Sequence, residues 1–347
     1  MSCSKIAVVL AVLMVMPRVG VAAPPPHRVL GISVGPCQDG DYGLAFATAK
    51  AAGMQSTTLS MNWSDLETSA GRYNGKYLAI ANGFYPAEKI SIDLVLRPID
   101  TNHVSMPADL MGEKFDSPKV ISRFEHLVEY VLSSMPKVTL NSIAIGNEVD
   151  AELAGNRASW AEYGRFLNTV LAYVHSRHPG VKVGVVLTFD GLTGDRAALA
   201  RSLNAKTDLV LVTYYPLNTD FTVKDPGVVR GDFDRLARFY SHRPIVMVEA
   251  GYPSSAVCKS SDAKQAEFVD NVFAAWDAHA SQIRSITFSW LYDLPQSTVD
   301  TFNKYYGVST PAFGEFLRTL GLRTYAGQGA DKPAFVSLSR DAHKRGW

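Results

Sequence analysis

Two stretches decide how this chain reads: Ile143-Ala144-Ile145-Gly146-Asn147-Glu148 and Ile245-Val246-Met247-Val248-Glu249-Ala250-Gly251-Tyr252-Pro253. Each is a short apolar run that stops on a glutamate. Apolar residues at consecutive rather than alternating positions are expected of a strand buried on both faces, as in a parallel sheet covered by helices. Comparable runs recur, so strands are expected over 29–34, 56–61, 92–97, 142–146, 182–187, 209–213, 244–248 and 286–290. Helices are expected over 42–52, 118–134, 158–177, 196–203, 233–241, 262–280 and 311–320. Strand and helix alternate with no linker and no shift in composition. That suits a closed (β/α)8 TIM barrel better than an open doubly wound sheet.

The bulk properties agree. At 347 residues the chain exceeds the roughly 250 that one such barrel needs, and it can bury a large core. It is 47% hydrophobic and 19% charged, with 34 Lys and Arg against 33 Asp and Glu, which excludes a disordered chain and a polybasic nucleic-acid binder. Residues 1–23 have the layout of a secretory signal peptide: Lys5, an apolar run over 6–16, then small residues ending at Ala22-Ala23. Cleavage is expected near Ala23. It would leave 24–347 as one barrel domain, secreted or periplasmic and monomeric. Pro17 and Arg18 cut the apolar run well short of the roughly 20 residues that span a bilayer, so no membrane span is expected. Losing Lys5 and Arg18 turns one excess base into one excess acid, so nothing favours an anionic partner. Cys3 leaves with the leader. Cys37 and Cys258 remain, and an oxidising compartment favours their pairing as a disulfide between the loops after strands one and seven; otherwise they are two small apolar residues.

The ends of barrel strands face the end of the fold where active sites form, so the residues that close each strand carry the functional reading. One glutamate after a strand is usually a loop acid. Two of them, on strands four and seven, converge across a small barrel and can stand about 5 Å apart, the spacing at which one carboxylate attacks a sugar while the other shuttles the proton. Strand six ends in Thr213-Tyr214-Tyr215-Pro216, where alternation groups Thr213 with Tyr215 on one face. Strand eight ends in Phe288-Ser289-Trp290 and strand three in Leu96-Arg97-Pro98. Arg97 either keeps a carboxylate ionised or forms a structural ion pair, and Trp290 either floors a sugar site or is an ordinary core aromatic.

With Asn147-Glu148 on the fourth strand and Glu249 on the seventh, the chain resembles the clan A retaining (β/α)8-barrel glycoside hydrolases. The resemblance covers nearly all of the mature chain. It implies that Glu148 is the acid/base, Glu249 the nucleophile and Asn147 the residue that holds the sugar 2-hydroxyl. It also implies a tyrosine on the nucleophile, with Tyr215 the better candidate and Tyr214 the reserve, and a tryptophan, Trp290, under the sugar. Trp63 opens a Trp-x-x-x-Glu pattern that is followed by Gly71-Arg72-Tyr73, and this pattern is similar to one seen at the same place in several families of the clan. Gly-Asn-Glu-Val and Glu-Ala-Gly-Tyr-Pro-Ser resemble endo-β-1,3-glucanases, whereas Tyr-Tyr-Pro looks as much like endo-β-1,4-galactanases. The implied substrate is a β-linked polysaccharide or oligosaccharide, with neither metal nor organic cofactor.

Two other readings compete. A sugar-binding barrel without catalysis would keep the tryptophans but has no need of both glutamates. Gly31-Ile32-Ser33-Val34-Gly35 matches the elbow of serine esterases, yet Pro36 follows at once where that elbow needs a helix. No His-Glu-x-x-His, Cys-x-x-Cys or phosphate-loop pattern occurs, and His103, His126 and His242 are isolated.

Overall fold

The computed structural model describes residues 28–347. The expected leader and its cleavage point lie outside the described residues. Eight barrel strands follow in chain order: β1 (Val29–Ile32), β2 (Ser56–Asn62), β3 (Ser91–Asp100), β4 (Leu140–Asn147), β5 in two segments (Val183–Gly184 and Val186–Thr188), β6 (Val210–Tyr214), β7 (Ile245–Ala250) and β8 (Ile283–Phe288). Neighbours along the chain pair in parallel, and β8 pairs with β1. At β5 the first segment pairs with β4 and the second with β6, the break falling at buried Val185. The nine parallel segments therefore make a nearly closed (β/α)8 barrel.

The outer helices are α1 (Tyr42–Ala51), α2 (Lys76–Glu88), α3 (Pro118–Ser134), α4 (Arg157–Arg177), α5 (Ala197–Leu203), α6 (Val228–Phe239) and α7 (Asp262–Ala278). Two further helices, α8 (Gln296–Tyr306) and α9 (Pro311–Arg318), precede the last, α10 (Pro333–Lys344). Several begin where the sequence signals a start. Ser117 accepts a hydrogen bond from Val120 N ahead of Pro118, and Asn156 accepts from Ala158 N and Ser159 N. α2 has no counterpart among the expected helices: its Lys76–Glu88 sequence carries an internal glycine and Pro86. Beyond Gly321 the tail forms α10 against the outer side of the barrel, where Trp347 stacks on Trp276 with ring centroids 5.0 Å apart and Arg28 lies over both rings.

The core has two layers. Leu94, Leu96, Ile143, Ile145, Val210 and Val212 face the helices, while Val95, Ala144, Val186, Leu211, Val246 and Val248 fill the barrel interior. Burying one such side chain contributes about 1.5–3 kcal/mol. The layering explains why both faces of strands such as β6 and β7 read as apolar.

The two cysteines are not paired, contrary to the disulfide expected for Cys37 and Cys258. Each thiol is buried in a separate apolar cluster. Cys37 belongs to the main core, whereas Cys258 packs with Val299, Phe313 and Phe316 and donates to Ala312 O at 3.4 Å. Each thiol is thus used as a small apolar side chain.

Candidate active site

Two irregularities in the ladder aim the polar groups. Between β6 and β7 the register slips after Val212, which sets Glu249 beside Thr213. Between β3 and β4 it slips after Leu96, which sets Asp100 beside Asn147. Such bulges re-aim side chains at barrel rims. At the end of β4 Gly146 has φ +91°, and a Cβ there would run into Tyr163 Oη and Val149 Cγ1, so the turn that presents Asn147 and Glu148 requires glycine. Glu148 itself has φ 45°, a left-handed conformation that is costly for a glutamate and typical of functional positions.

Both glutamates line a cleft of about 690 Å³ at the carboxyl ends of the strands, together with Asn147, Arg97, Tyr215 and Trp290. A cleft of this size holds a small organic ligand. Thr213 Oγ1 donates to Glu148 Oε1 at 2.6 Å, and Thr101 Oγ1 donates to Oε2 at 2.8 Å. The Glu148 carboxyl is pushed up to about 7, first by burial and then by the negative charge of Glu249; the two threonine hydrogen bonds act the other way. The Tyr215 hydroxyl donates to Glu249 Oε2 at 2.6 Å. Burial raises Glu249 as well, against the pull of that hydrogen bond and of the Arg97 charge. Burial and the adjacent carboxylate raise Tyr215 well above its ordinary value, so its proton stays in place.

Tyr214 points outward and donates to Asp232 Oδ2 at 2.8 Å, so of the two tyrosines it is Tyr215 that contacts Glu249. Arg97 combines both of its sequence readings. Nη1 pairs with Asp100 Oδ2 at 3.0 Å, and the same charge favours ionised Glu249. Asn147 Nδ2 donates to Asp100 Oδ1 at 3.1 Å, which fixes its amide beside the glutamates. Trp290 is half-buried in the cleft wall and stacks on Phe302 with centroids 6.3 Å apart.

Trp63 does not reach the cleft. It is wholly buried, its indole N–H donates to Glu67 Oε2 at 2.8 Å, and its ring meets Phe124 edge-on. The Trp-x-x-x-Glu spacing is one helical turn that closes on itself, and Arg123 Nε holds the other Glu67 oxygen at 2.8 Å. Trp63 is therefore a core residue rather than a substrate contact. Ser33 lines the cleft, but irregular chain and a turn follow it and α1 begins only at Tyr42, so the esterase elbow is not formed.

Sequence pattern alone does not mark Asp100, Thr101 and Thr213 as site residues. Thr213 shares a strand face with Tyr215, a signal already present. Asp100 and Thr101 lie beyond the expected end of the third strand because Pro98 reads as a stop, whereas β3 runs on through it to Asp100. Among the described residues no group of three or more His, Cys, Asp or Glu is placed to hold a metal ion, and no helix is long and apolar enough to cross a membrane.

No family profile matches the chain, and no curated protein matches it in sequence. Solved structures match it in fold. A GH5_18 from Bifidobacterium longum subsp. infantis superposes with TM-score 0.68 at 14% identity, over 91% of this chain and 79% of that one. These likenesses show one fold, the (β/α)8 barrel. A GH5_18 from Streptomyces cattleya in complex with GlcNAc has TM-score 0.67 at 14% identity, over 92% of this chain and 80% of that one. The β-glucosidase from Thermotoga maritima in complex with deoxynojirimycin has TM-score 0.64 at 11% identity, over 93% of this chain and 99% of that one.

Proposed function

We propose that this barrel is a retaining glycoside hydrolase that cleaves β-glycosidic bonds in an oligosaccharide or polysaccharide. The observation that carries the reading is one cleft holding two carboxyl groups in unlike settings: Glu148 raised to about 7, and Glu249 under a tyrosine hydroxyl and near an arginine charge. Unequal environments around paired carboxyls divide the acid role from the anion role. The solved barrels that superpose on the chain include a β-glucosidase and a protein bound to an amino sugar, which agrees with this reading.

In the first step a Glu249 oxygen attacks the anomeric carbon and the bond to the leaving oxygen breaks. The Glu148 proton passes to that oxygen. The products are a glycosyl ester on Glu249 and an ionised Glu148. In the second step Glu148 takes a proton from water while the water oxygen attacks the anomeric carbon and the ester bond breaks. Two inversions give net retention. Asn147, held by Asp100, faces the sugar 2-hydroxyl, and Trp290 supplies a flat apolar surface under the ring. Residues 1–23 are an export signal in this reading, and 24–347 act as one secreted or periplasmic monomer.

Azide rescue on aryl β-glycosides tests the roles. Glu249→Ala should lose turnover on every glycoside and regain it with azide, giving an α-glycosyl azide. Glu148→Ala should keep its first step for a dinitrophenyl leaving group and give a β-glycosyl azide. Identical behaviour of the two variants would overturn the assignment.

A further inference from the structure

The segment between β8 and α10 is longer than a barrel needs, and it is fastened at several points around the mouth. At the end of α8, Tyr305 Oη donates to Asp100 Oδ2 at 3.1 Å, Asn102 Nδ2 donates to Tyr306 O at 3.0 Å, and the His103 ring lies 4.9 Å from that of Tyr305. These contacts tie α8 to the loop after β3. The loop after β1 is tied to the same segment, with Gln38 N donating to Tyr325 O at 2.9 Å and Asp39 N donating to Gly327 O at 3.1 Å. In the opposite direction α9 sits on the loops after β6 and β7. Phe221 meets Phe313 at 4.8 Å, Tyr215 meets Phe316 at 5.4 Å, and Ser255 Oγ donates to Glu315 Oε2 at 2.7 Å.

One segment therefore walls the rim from β6 through β7, β8 and β1 to β3, and Trp290, Phe302, Tyr306 and Val308 from it face the cleft. Among the described residues lining the cleft none lies between Glu148 and Tyr215, the stretch that holds the loops after β4 and β5. The open side is thus the side of Glu148. An acid must stand beside the oxygen that it protonates, so the leaving group lies toward Glu148 and the attacked sugar toward Glu249, under the wall.

We infer that the cleft is closed at its glycone end, so that the enzyme takes the free non-reducing end of a β-linked saccharide or β-glycoside, releases that terminal unit, and tolerates varied leaving groups. The inference rests on the glycosidase reading and adds the mode of attack. The full chain is incubated with β-linked oligosaccharides of increasing length, each free, labelled with a fluorophore at the reducing end, or blocked at the non-reducing end by a 4,6-benzylidene acetal, and early products are separated by length. The expected result is one terminal sugar and a chain one unit shorter at every length, little effect of the fluorophore, and at least a 100-fold slower reaction when the non-reducing end is blocked. Fragments of intermediate length in the first turnovers, or blocked chains cut as fast as free ones, would overturn this inference alone. No hydrolysis of any member, nor of dinitrophenyl β-glycosides, would overturn the glycosidase reading and this inference with it.

Discussion

Glu148 has a folded-state value of about 7 against an ordinary carboxyl value of 4.5, which links its role to stability. Its charged form is disfavoured in the folded chain, so between these values the native state holds a proton that the unfolded state has released. The native state is therefore least burdened below pH 4.5 and loses about 3 kcal/mol by the time the pH has risen past 7. Glu148→Gln, which cannot ionise, should be about 1–3 kcal/mol more stable than the parent at pH 8, and the gain should vanish near pH 4. Denaturant melts of both proteins at the two pH values measure this; a gain of the same size at both would show that charge is not the cause. The same residue shows the limit of local reading. Asn147-Glu148 after an apolar run was visible in the sequence, but of the threonines that grip its carboxyl one comes from β6 and the other from the turn after β3, and they met it only when the barrel closed.

At the scale of elements, Asp100 is where β3, β4 and α8 join. Its carboxylate receives Arg97, the Asn147 amide and the Tyr305 hydroxyl. Asp100 is 2% exposed, so removing its side chain would leave an arginine charge poorly compensated in a largely buried setting. Asp100→Ala should cost about 3 kcal/mol of stability, and in the protein that remains folded KM should rise if Asn147 holds the sugar as proposed, because Asn147 loses its anchor. Thermal melts and steady-state kinetics would check both; an unchanged KM would mean that Asn147 is held without Asp100. The pairing of β3 with β4 that creates this junction depends on a register slip, and no period in either strand announces it. Trp63 teaches the opposite lesson. A pattern shared with a family can mark a place in the fold without marking a ligand contact, because one helical turn satisfies its own tryptophan and glutamate.

At the scale of the whole molecule, closure demands that β1 fit between β8 and β2. Gly31 lies where β1 passes close to both neighbours: a Cβ there would fall inside contact distance of Thr287 Oγ1 and lie 2.9 Å from Ser56 Oγ. Gly31→Ala should therefore destabilise the barrel by about 1–3 kcal/mol through overpacking, with no change in any functional group. A stability equal to that of the parent in denaturant melts would show that the seam can relax. The sequence by itself determined the eight strands, their order and the positions of both glutamates. Burial on both faces writes itself into consecutive apolar residues, and right-handed crossovers leave few ways to arrange such units. Only the tertiary structure decided that β5 is broken at Val185, that Cys37 and Cys258 lie in separate clusters, that Trp63 is core, and that the segment after β8 walls the cleft. These outcomes depend on which side chains from distant parts of the chain arrive at the same place. A local pattern records whether a residue is buried, whereas its neighbours are chosen by the closure of the barrel.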